Sequence, residues 1–594
     1  MGNWFVTAKR ADFQKIAQEF GISPVLARVI RNRDVCGEEE IRRYLHGGMA
    51  DLYDPWLLKG MDQAVAVIRK AIEGKKKIRV IGDYDIDGVC AACILVRSFR
   101  SLGGDVDTAI PHRIRDGYGL NDHLIEQARK DQIDLIVTCD NGIAAASQIE
   151  LAKSLGIQVV VTDHHEVPFT ADASGGERVY HLPPADAVID PKQPGDTYPF
   201  SGICGAVVAY KLAQALGTAA ELLDALLEPA AFATVGDVME LKDENRILVK
   251  EGLKRMRRTS YPGLRALIDV NELKKEKLDV YHIGFVLGPC INASGRLESA
   301  TLSLQLWMED DYSRAVPMAA ELKKLNDSRK EMTEAGVEQA VRLLEGSGPA
   351  KKNAEKLSSD RGDKVLILYL PDCHESIAGI IAGRIREKYH KPTIVLTDGE
   401  EGVKGSGRSI EGYDMFAELS VCKDLFDKFG GHKMAAGLSL SRENVGEMRR
   451  RLNENCGLTE EDFIPKVHID VAMPLSYVTE EFIEELELLA PFGTGNTKPV
   501  FAQKDVLLQS AQIFRKKRSV AKFDAADQEG RRFKLTYFGD VEGLESFLSD
   551  KYGADAGRLF SGGPAGVPLT ITYYPSINEY RGKREVEFVI TNYC

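Results

Sequence analysis

The residues best suited to chemistry are acids and histidines that follow three short apolar segments. These segments span 78–81, 135–137 and 159–162, and the polar residues after them are Asp83, Asp85, Asp87, Asp140, Asp163, His164 and His165. Carboxylates brought together repel one another, and they cannot all stay ionised unless a cation lies between them. Oxygen ligands with one or two imidazoles suit Mn²⁺ or Mg²⁺ better than a zinc ion held by thiolates. The pattern therefore predicts a divalent-metal site.

A site with two such ions would favour one reaction. Two metals close together activate a water and stabilise the leaving oxygen of an in-line displacement at phosphorus, so the residues predict phosphoester hydrolysis. A single Asp at a strand end is often a helix N-cap, and for Asp163 alone capping and metal binding are equally good interpretations. Capping does not explain three strand ends that all carry acids, so metal binding is the better interpretation of the cluster.

A parallel sheet is needed to bring these residues together. Apolar runs rich in β-branched residues alternate with helical stretches, and the runs span 78–81, 106–110, 135–137, 159–162 and 187–189. Strands separated by helices predict βαβ units and a buried parallel sheet. Ligands of such sheets bind beyond the carboxyl ends of the strands, which is where the acids stand in the sequence.

Changes of pattern along the chain predict a multi-domain α/β protein, because 594 residues are too many for one hydrophobic core. A Gly-Ser-Gly-Pro sequence at 346–349 is the clearest linker. Alternating segments near the C-terminus predict a small β-barrel. The predicted parts are a helical segment of the catalytic domain (1–75), the catalytic α/β domain (76–310), a long connecting helix with linker (311–362), a second, smaller α/β domain (363–460) and the barrel (466–594).

The overall charge and composition limit the classes of function. A formal net charge of −12 lowers the expectation of a non-specific nucleic-acid binder, but it does not exclude a nuclease, whose metal site itself needs carboxylates. We find no apolar run of about 20 residues and no signal-peptide pattern near the N-terminus. The ten cysteines form no disulfide-like framework. We therefore expect a cytoplasmic protein that does not contact membranes.

Several motifs in order resemble those of the DHH phosphoesterase superfamily, and more narrowly its RecJ-type exonucleases. The resemblance covers nearly the whole chain. The catalytic-domain motifs lie at 83–88, 139–142, 163–165, 234–238, 111–113, 117–120, 288–289 and 292–296. Those resembling the DHH-associated domain lie at 373–379, 404–409 and 429–432, and those resembling the RecJ oligonucleotide-binding (OB) fold at 491–496 and 578–582.

This resemblance implies a fold and an activity. The fold would comprise a parallel-sheet DHH domain, a connecting helix, a DHH-associated domain and an OB-fold barrel. The activity would be hydrolysis of single-stranded DNA from the 5′ end to mononucleotides, in DNA repair and recombination. Two Mn²⁺ or Mg²⁺ ions would be required and no organic cofactor, and a helicase and a single-strand-binding protein would be partners besides the DNA.

The resemblance also implies roles for individual residues. The metal ligands would be Asp85, Asp87, Asp140, His164 and Asp237. Asp83 would be a close neighbour or a further ligand, and His165 would contact the scissile phosphate, so that Asp83, His164 and His165 serve catalysis. Arg113 and Arg296 would bind strand phosphates, and Arg408 and Ser409 would help to hold the 5′-terminal phosphate. The other phosphate-binding candidates, which would line the same cleft, are His374, Ser406 and His432.

Three positions depart from the family pattern. Ile81 replaces a histidine found in some superfamily members, which would weaken one metal site. Asp190 stands where Asn is expected, and Cys373 where an aromatic residue is usual. Neither of these two changes removes a charged ligand, so we expect activity to be retained.

The predicted barrel contains a basic run with aromatic residues nearby. Such runs track the backbone and stack the bases of single strands, whereas a solvated hairpin turn is the alternative interpretation. The candidate strand-binding residues are Arg515, Lys516, Lys517, Arg518, Tyr580 and Arg581.

Two other functions remain open from the sequence. One is a DHH phosphodiesterase that acts on short oligonucleotides or cyclic dinucleotides, although such substrates do not need a barrel. The other is a catalytically silent DHH protein that serves as a replication scaffold, although that role does not require a complete set of acids.

Overall fold

The computed structural model describes residues 2–113, 116–117, 119–170, 178–346, 358–360, 362–399, 402–514, 519–561, 565–580 and 582–594. The chain forms two compact units. The larger unit comprises Leu52–Met239 and Leu248–Phe463, and the smaller one comprises Met1–Asp51, Glu240–Ile247 and Ile464–Cys594. None of the described helices combines the length and the apolar character needed to cross a membrane.

The strands are numbered in chain order. They are β1 (Asn3–Val6), β2 (Lys77–Ile81), β3 (Asp105–Ala109), β4 (Leu135–Cys139), β5 (Gln158–Thr162), β6 (Phe169–Thr170), β7 (Val179–Tyr180), β8 (Ala187–Ile189), β9 (Leu366–Tyr369), β10 (Thr393–Asp398), β11 (Val403–Arg408), β12 (Phe426–His432), β13 (Ala435–Leu440), β14 (Lys466–Ile469), β15 (Val471–Ala472), β16 (Phe501–Ile513), β17 (Val520–Ala526), β18 (Arg532–Phe538), β19 (Val567–Tyr580) and β20 (Lys583–Tyr593).

The helices are named by their bounds. They are Phe13–Phe20, Pro24–Asn32, Glu38–His46, Met61–Glu73, Ile86–Ser101, Asp122–Lys130, Ala146–Ser154, Gly205–Ala215, Ala220–Gly236, Asp243–Met256, Pro262–Val270, Val280–His282, Gly288–Leu297, Thr301–Met308, Tyr312–Glu345, Glu375–Tyr389, Met415–Val421, Val445–Asn455, Glu480–Leu486, Val541–Tyr552 and Ala554–Ser561, with a π-helical turn at Ile283–Leu287.

The first sheet of the larger unit has the order β3-β2-β4-β5-β8, and every pair in it is parallel. The predicted parallel sheet is thus confirmed. All five residues of β4 are buried, and so are the last four of β2, because helices cover both faces of the sheet. Since parallel strands point the same way, the segments after β2, β4 and β5 all emerge at one edge.

A second sheet in the larger unit has the order β12-β13-β11-β10-β9. Only β9 and β10 run parallel, and the other pairs are antiparallel. The long helix Tyr312–Glu345 precedes this sheet, begins within the segment 311–362 predicted as a connecting helix with linker, and is capped by Asp311. The predicted linker that follows it lies largely outside the described residues.

The smaller unit contains the C-terminal strands. Antiparallel pairs join β16 to β17, β17 to β18, and β20 to β19, a parallel pair joins β18 to β20, and β16 also pairs with β19. Each of these five strands therefore pairs with two others, and together they form a closed ring. A barrel, as predicted, requires such a ring.

The N-terminal residues pack with these strands. Strand β1 pairs in parallel with β14, and Leu26 and Ile30 are buried in the same core as Phe501 and Leu569. The sequence placed residues 1–75 with the catalytic domain, but only residues 52–75 lie in the larger unit, whereas residues 1–51 belong to the smaller one. An amphipathic helix shows only which of its faces is buried and not which partner covers that face, so the sequence pattern could not assign these helices.

Candidate metal centre and phosphate site

The acids after β2 are held by the start of a helix. Asp85 caps the helix Ile86–Ser101, and its Oδ1 accepts the N–H groups of Asp87 (3.0 Å) and Gly88 (3.2 Å). Both oxygens of Asp87 accept backbone N–H groups from a different helix: Gly205 donates to Oδ2 (2.7 Å) and Ala206 to Oδ1 (2.8 Å). These donors at a helix N-terminus stabilise a carboxylate and fix its position.

His164 stands at the centre of the acids. Its Nε2 lies 3.1 Å from Asp140 Oδ1, 3.4 Å from Asp87 Oδ2 and 3.9 Å from Asp237 Oδ2. Burial, with the charge of His165, lowers the pKa of His164 although the neighbouring acids oppose this shift. A neutral imidazole is the form that binds a metal.

Asp140 has an unusual backbone conformation. Its φ is +61°, in the left-handed region, and its N–H donates to the Thr162 carbonyl at 3.1 Å. This turn follows the end of β4, and it sets the orientation of Asp140 at that edge of the sheet. Asp and Asn adopt this conformation more readily than most residues.

Asp163 positions His165. Its Oδ1 accepts the N–H groups of His164 (2.8 Å) and His165 (3.2 Å) and also the Nδ1 proton of His165 (2.7 Å), while Oδ2 accepts the Ile143 N–H at 2.9 Å. No described helix begins directly after Asp163, so these contacts hold the loop after β5 and orient His165, and they do not cap a helix. Burial alone would lower the pKa of His165, but the hydrogen bond and charge of Asp163 raise it to about 9.

The remaining acids repel one another. Burial, and then the charge of Asp85, raises the pKa of Asp83. Burial, with the charges of Asp87 and Asp85, likewise raises the pKa of Asp140, and it raises that of Asp237 to about 8. Asp83 Oδ2 is buried without a hydrogen-bond partner among the described residues.

This donor set fits a divalent ion. Two groups, Asp87-His164-Asp237 and Asp140-His164-His165, each offer atoms within 4.8 Å of one another. Carboxylate oxygens with one shared imidazole suit Mn²⁺ or Mg²⁺, and a bound cation would relieve the repulsion that raises the acids' pKa values.

Three arginines from distant parts of the larger unit lie close enough to repel one another. Burial, and then the charges of Arg113 and Arg329, lowers the pKa of Arg296 to about 10. The pKa of Arg408 is lowered by burial and by the charges of Arg386 and Arg113. Arg113 itself lies over the ring of Tyr84, 4.8 Å from its centroid. Such a group of guanidinium ions is suited to a phosphate, whose oxygens accept paired donors.

The structure connects some of the other predicted phosphate-binding residues to these arginines. Arg408 donates to the Ser406 hydroxyl (3.3 Å), and Arg296 donates to the Ser376 carbonyl (2.8 Å). His374 caps the helix Glu375–Tyr389, and its Nδ1 lies 2.7 Å from the Ser376 hydroxyl.

Two predicted residues are placed differently. Ser409 is buried, and its hydroxyl donates to the Tyr413 carbonyl at 2.6 Å. His432 is exposed at the end of β12, where its Nδ1 accepts the Met434 N–H at 3.3 Å. Within the described part of the chain, neither side chain forms a hydrogen bond with the arginines.

The strand-binding candidates in the smaller unit lie mostly outside the described residues. This holds for Arg515, Lys516, Lys517, Arg518 and Arg581. Tyr580 ends β19, and its side chain also lies outside the described part.

Several groups at this site were not predicted from the sequence. Gly205 and Ala206 donate through backbone N–H groups, so their side chains do not reveal this role. A glycine in the first turn of a helix does indicate that another part of the chain approaches the helix closely there. Asn292 Oδ1 accepts the Ile86 N–H at 2.8 Å and so joins two of the motifs. Lys192 contributes positive charge that lowers the pKa of Asp237 against the larger effect of burial.

The three departures from the family pattern occupy buried or half-buried positions. Ile81 is fully buried at the end of β2. Burial, with the charge of Asp163, raises the pKa of Asp190 to about 7, while Asp190 Oδ1 accepts the Lys192 N–H at 2.8 Å. Burial raises the pKa of Cys373 to about 11.

Comparison with family models finds three matches along the chain. The DHH family N-terminal domain matches residues 77–234, the DHHA1 domain matches 362–457, and the RecJ OB domain matches 469–592. Their order is the one expected from the motifs.

Relatives match nearly the whole chain. The single-stranded-DNA-specific exonuclease RecJ of Bacillus subtilis is 36% identical over 586 residues, which cover 97% of this chain and 69% of the relative. The structure of Thermus thermophilus RecJ with Mn²⁺ has a TM-score of 0.79 and 26% identity, and the match covers 100% of this chain and 79% of that one. The structure of the same protein with Mg²⁺ gives 0.73 and 25%, covering 100% and 78%.

Proposed function

The chain belongs to the RecJ family of single-stranded-DNA-specific exonucleases, and on this premise we propose that it degrades single-stranded DNA from the 5′ end to mononucleotides. The observation that carries the proposal is the presence, in one compact unit, of an acid cluster that fits divalent ions and of a half-buried arginine cluster. An enzyme that cuts beside a strand end needs both.

The acids and His164 hold the metal in this proposal. The ligands are Asp85, Asp87, Asp140, His164 and Asp237, with Asp83 beside them. When bound, Mn²⁺ or Mg²⁺ supplies the positive charge that activates a water and stabilises the leaving oxygen. The protein's part is to keep the carboxylates fixed, as the N–H groups of Gly205 and Ala206 do for Asp87.

His165 and the arginines act on the phosphates. In this proposal the His165 imidazolium neutralises charge that develops on the scissile phosphate, and its hydrogen bond to Asp163 supports this role. Arg113, Arg296 and Arg408 bind the terminal phosphate, with Ser406 and His374 beside them. Because a terminal phosphate is ordinarily carried by the 5′ end of DNA, a pocket for it would select that end.

The smaller unit would hold the rest of the strand. Its match to the RecJ OB domain and the basic run at 515–518 support this assignment. We further propose that the enzyme works in the cytoplasm beside a helicase and a single-strand-binding protein. The proposed domain bounds are those predicted from the sequence, 76–310, 363–460 and 466–594, with 311–362 as the connection.

Digestion of end-labelled strands tests the polarity and the substrate. Single strands of DNA or RNA, labelled at the 5′ or the 3′ end, are incubated with Mn²⁺, Mg²⁺ or a chelator, beside a cyclic dinucleotide. We expect metal-dependent release of the 5′ label from DNA as a mononucleotide. Cleavage of the cyclic dinucleotide alone would favour the small-substrate phosphodiesterase, and no cleavage of any substrate would favour the silent scaffold.

The substitution Asp140→Asn tests the metal centre. Asn keeps the left-handed backbone conformation but removes the charge. We expect hydrolysis to fall by about a hundredfold or more, since the metal supplies several kcal/mol of charge stabilisation. Single-strand binding, measured by fluorescence anisotropy, should be retained. The matched control Asp105→Asn, at the exposed start of β3, should retain full activity. Undiminished Mn²⁺-dependent hydrolysis by Asp140→Asn would contradict the assignment.

A further inference from the structure

The ring of Tyr84 connects the metal centre to the arginine cluster. Tyr84 stands between Asp83 and Asp85 in the chain, and its side chain is half-buried. The Arg113 guanidinium lies over the ring, 4.8 Å from the centroid. An aromatic face attracts a cation, and Arg in particular stacks on such a face. The ring therefore supports one of the three arginines assigned to the terminal phosphate.

The connection that carries Arg113 is attached to the neighbour of Tyr84. Arg113 and Gly119 both lie between β3 and the helix Asp122–Lys130, and Gly119 donates its N–H to Asp83 Oδ1 at 3.3 Å. Burial raises the pKa of Asp83, and the charge of Arg113 opposes this shift. Within the described residues, no hydrogen bond or ion pair holds the Arg113 guanidinium itself. Stacking on the Tyr84 ring is therefore what orients this guanidinium.

The helix that carries Arg296 packs against the backbone of Tyr84. A Cβ on Gly295 would overlap the Tyr84 carbonyl oxygen and would lie 3.4 Å from the Tyr84 Cβ, so the absence of a side chain allows this approach. Burial raises the pKa of Tyr84 to about 12, although the charges of Arg113 and Arg296 oppose this shift. The phenol thus stays neutral at physiological pH, and both guanidinium ions lie close enough for their charges to act on it.

The three arginines repel one another when no phosphate lies between them. Burial and the charge of Arg113 both lower the pKa of Arg296, and they also lower that of Arg408. A flexible side chain under such repulsion would turn away from its neighbours, and binding a phosphate would then require ordering it again. Attraction to the Tyr84 ring opposes this movement, so Arg113 is already oriented before a phosphate binds.

We propose that Tyr84 is a positioning residue for recognition of the 5′-terminal phosphate, because its ring holds the Arg113 guanidinium in place. This inference rests on the proposed pocket for that phosphate, and it adds a residue that acts through Arg113 without contacting the phosphate. The alternative is that Tyr84 only supports the segment of metal-site acids in which it stands. The two roles predict different effects on strands with and without a 5′ phosphate.

Strands that differ only at the 5′ end test this role in the full-length enzyme. A short oligothymidylate with a 5′ phosphate is compared with one that ends in a 5′ hydroxyl. For each strand, kcat/KM is measured with Mn²⁺, and Kd is measured by fluorescence anisotropy in chelator. The wild type should prefer the phosphorylated strand. We expect Tyr84→Leu to reduce this preference about tenfold, and Tyr84→Phe, which keeps the ring, to retain most of it.

A double-mutant cycle with Arg113→Gln shows whether the ring acts through the guanidinium. Arg113→Gln should lower the preference for the phosphorylated strand by itself. Adding Tyr84→Leu should then change the preference by less than about twofold, because the group that the ring positions is already absent. A full loss on adding Tyr84→Leu in the Arg113→Gln background would overturn the proposal.

Two controls separate this role from general effects. Arg265 lies over the ring of the exposed Tyr312, 4.7 Å from its centroid, so Tyr312→Leu removes a pair of the same kind elsewhere. Tyr312→Leu should leave the preference for the 5′ phosphate unchanged. The Mn²⁺ affinity of Tyr84→Leu, measured by isothermal titration, should fall by much less than the roughly 10–100-fold expected when a group that orients metal ligands is lost.

The outcomes distinguish this inference from the proposed function. A wild type that cuts neither strand would refute the exonuclease, while the Kd values would still test Tyr84. A wild type without a preference for the phosphorylated strand would refute the phosphate pocket, and this inference with it. If the wild type has the preference, equal losses on both strands in Tyr84→Leu would overturn the positioning role. So would a large loss of Mn²⁺ affinity, since Tyr84 would then support only the metal-site acids.

Discussion

One imidazole nitrogen is shared by three carboxylates at this site, and that arrangement has an electrostatic consequence. Nε2 of His164 lies within 3.9 Å of oxygens from Asp87, Asp140 and Asp237. His164 cannot neutralise them, because burial keeps its pKa low. In the metal-free protein the acids must therefore bind protons or repel one another.

The stability of the metal-free protein should consequently depend on pH. The pKa of Asp237 rises from its ordinary value of 3.8 to about 8. Between these values the folded protein binds more protons than the unfolded chain, so the stability that protonation provides is present at low pH and is lost as the pH rises towards 8. We expect the Tm of the chelated protein to fall over this window, and the increase in Tm caused by Mn²⁺ to grow with pH.

The substitution Asp237→Asn provides the control for this expectation. Without the titrating carboxyl, the metal-free Tm should depend less on pH, and stabilisation by Mn²⁺ should be smaller. Thermal denaturation followed by circular dichroism in chelator and in Mn²⁺ gives both quantities. A metal-free Tm that rises from pH 5 to pH 8 in the wild type and not in Asp237→Asn would contradict the electrostatic account.

At the scale of elements, the start of the helix Gly205–Ala215 is packed against the acids. A Cβ on Gly205 would lie 2.7 Å from Asp140 Cβ and 2.9 Å from its Cα, closer than real Cβ atoms approach. The absence of a side chain at this position lets the helix N-terminus reach Asp87 while Asp140 keeps its place.

The substitution Gly205→Ala should therefore displace the acids. We expect Mn²⁺ affinity, measured by isothermal titration, to fall by about 10–100-fold, as for loss of a group that orients ligands. Hydrolysis should fall with it. The control Gly383→Ala lies in the helix Glu375–Tyr389, where a Cβ meets no atom within 4 Å. It should leave affinity unchanged and raise stability by about 0.5–1 kcal/mol. Equal Mn²⁺ affinity in both variants would show that the contact at Gly205 has no role.

At the scale of the whole molecule, the smaller unit is built from both ends of the chain. Leu26 is fully buried in a core that also contains C-terminal residues such as Phe501 and Val567. Residues 1–51 are thus part of this unit and not a separate segment. A substitution that destabilises the N-terminal helices should therefore also destabilise the C-terminal strands.

The substitution Leu26→Ala tests this connection. Loss of a buried leucine side chain should cost about 2–5 kcal/mol. Hydrogen exchange should then quicken in residues 1–51 and in the C-terminal strands together, while the helix Ile86–Ser101 keeps its protection. The control Val6→Ala, at a side chain 50% exposed, should change stability by less than about 0.5 kcal/mol. Faster exchange confined to residues 1–51 would contradict a common core.

The local elements and the chemistry of the acid cluster follow directly from the order of the amino acids. Buried parallel strands need nearly continuous runs of β-branched and apolar residues, so β2, β4 and β5 could be predicted from such runs in the sequence. Parallel strands direct their carboxyl ends to one edge, so the meeting of Asp83, Asp140 and His164 could be predicted as well. The order of the motifs along the chain also allowed the family to be predicted.

The groups that support those residues, and the places where distant segments pack, are visible in the folded protein but not in the sequence. The donors to Asp87 are backbone N–H groups, which every residue except proline carries and which therefore leave no mark in the sequence. The Ser409 hydroxyl is bonded within its own turn, although its motif predicted a phosphate contact. The pairing of β1 with β14 joins residues more than 450 positions apart, and a short strand does not specify its partner.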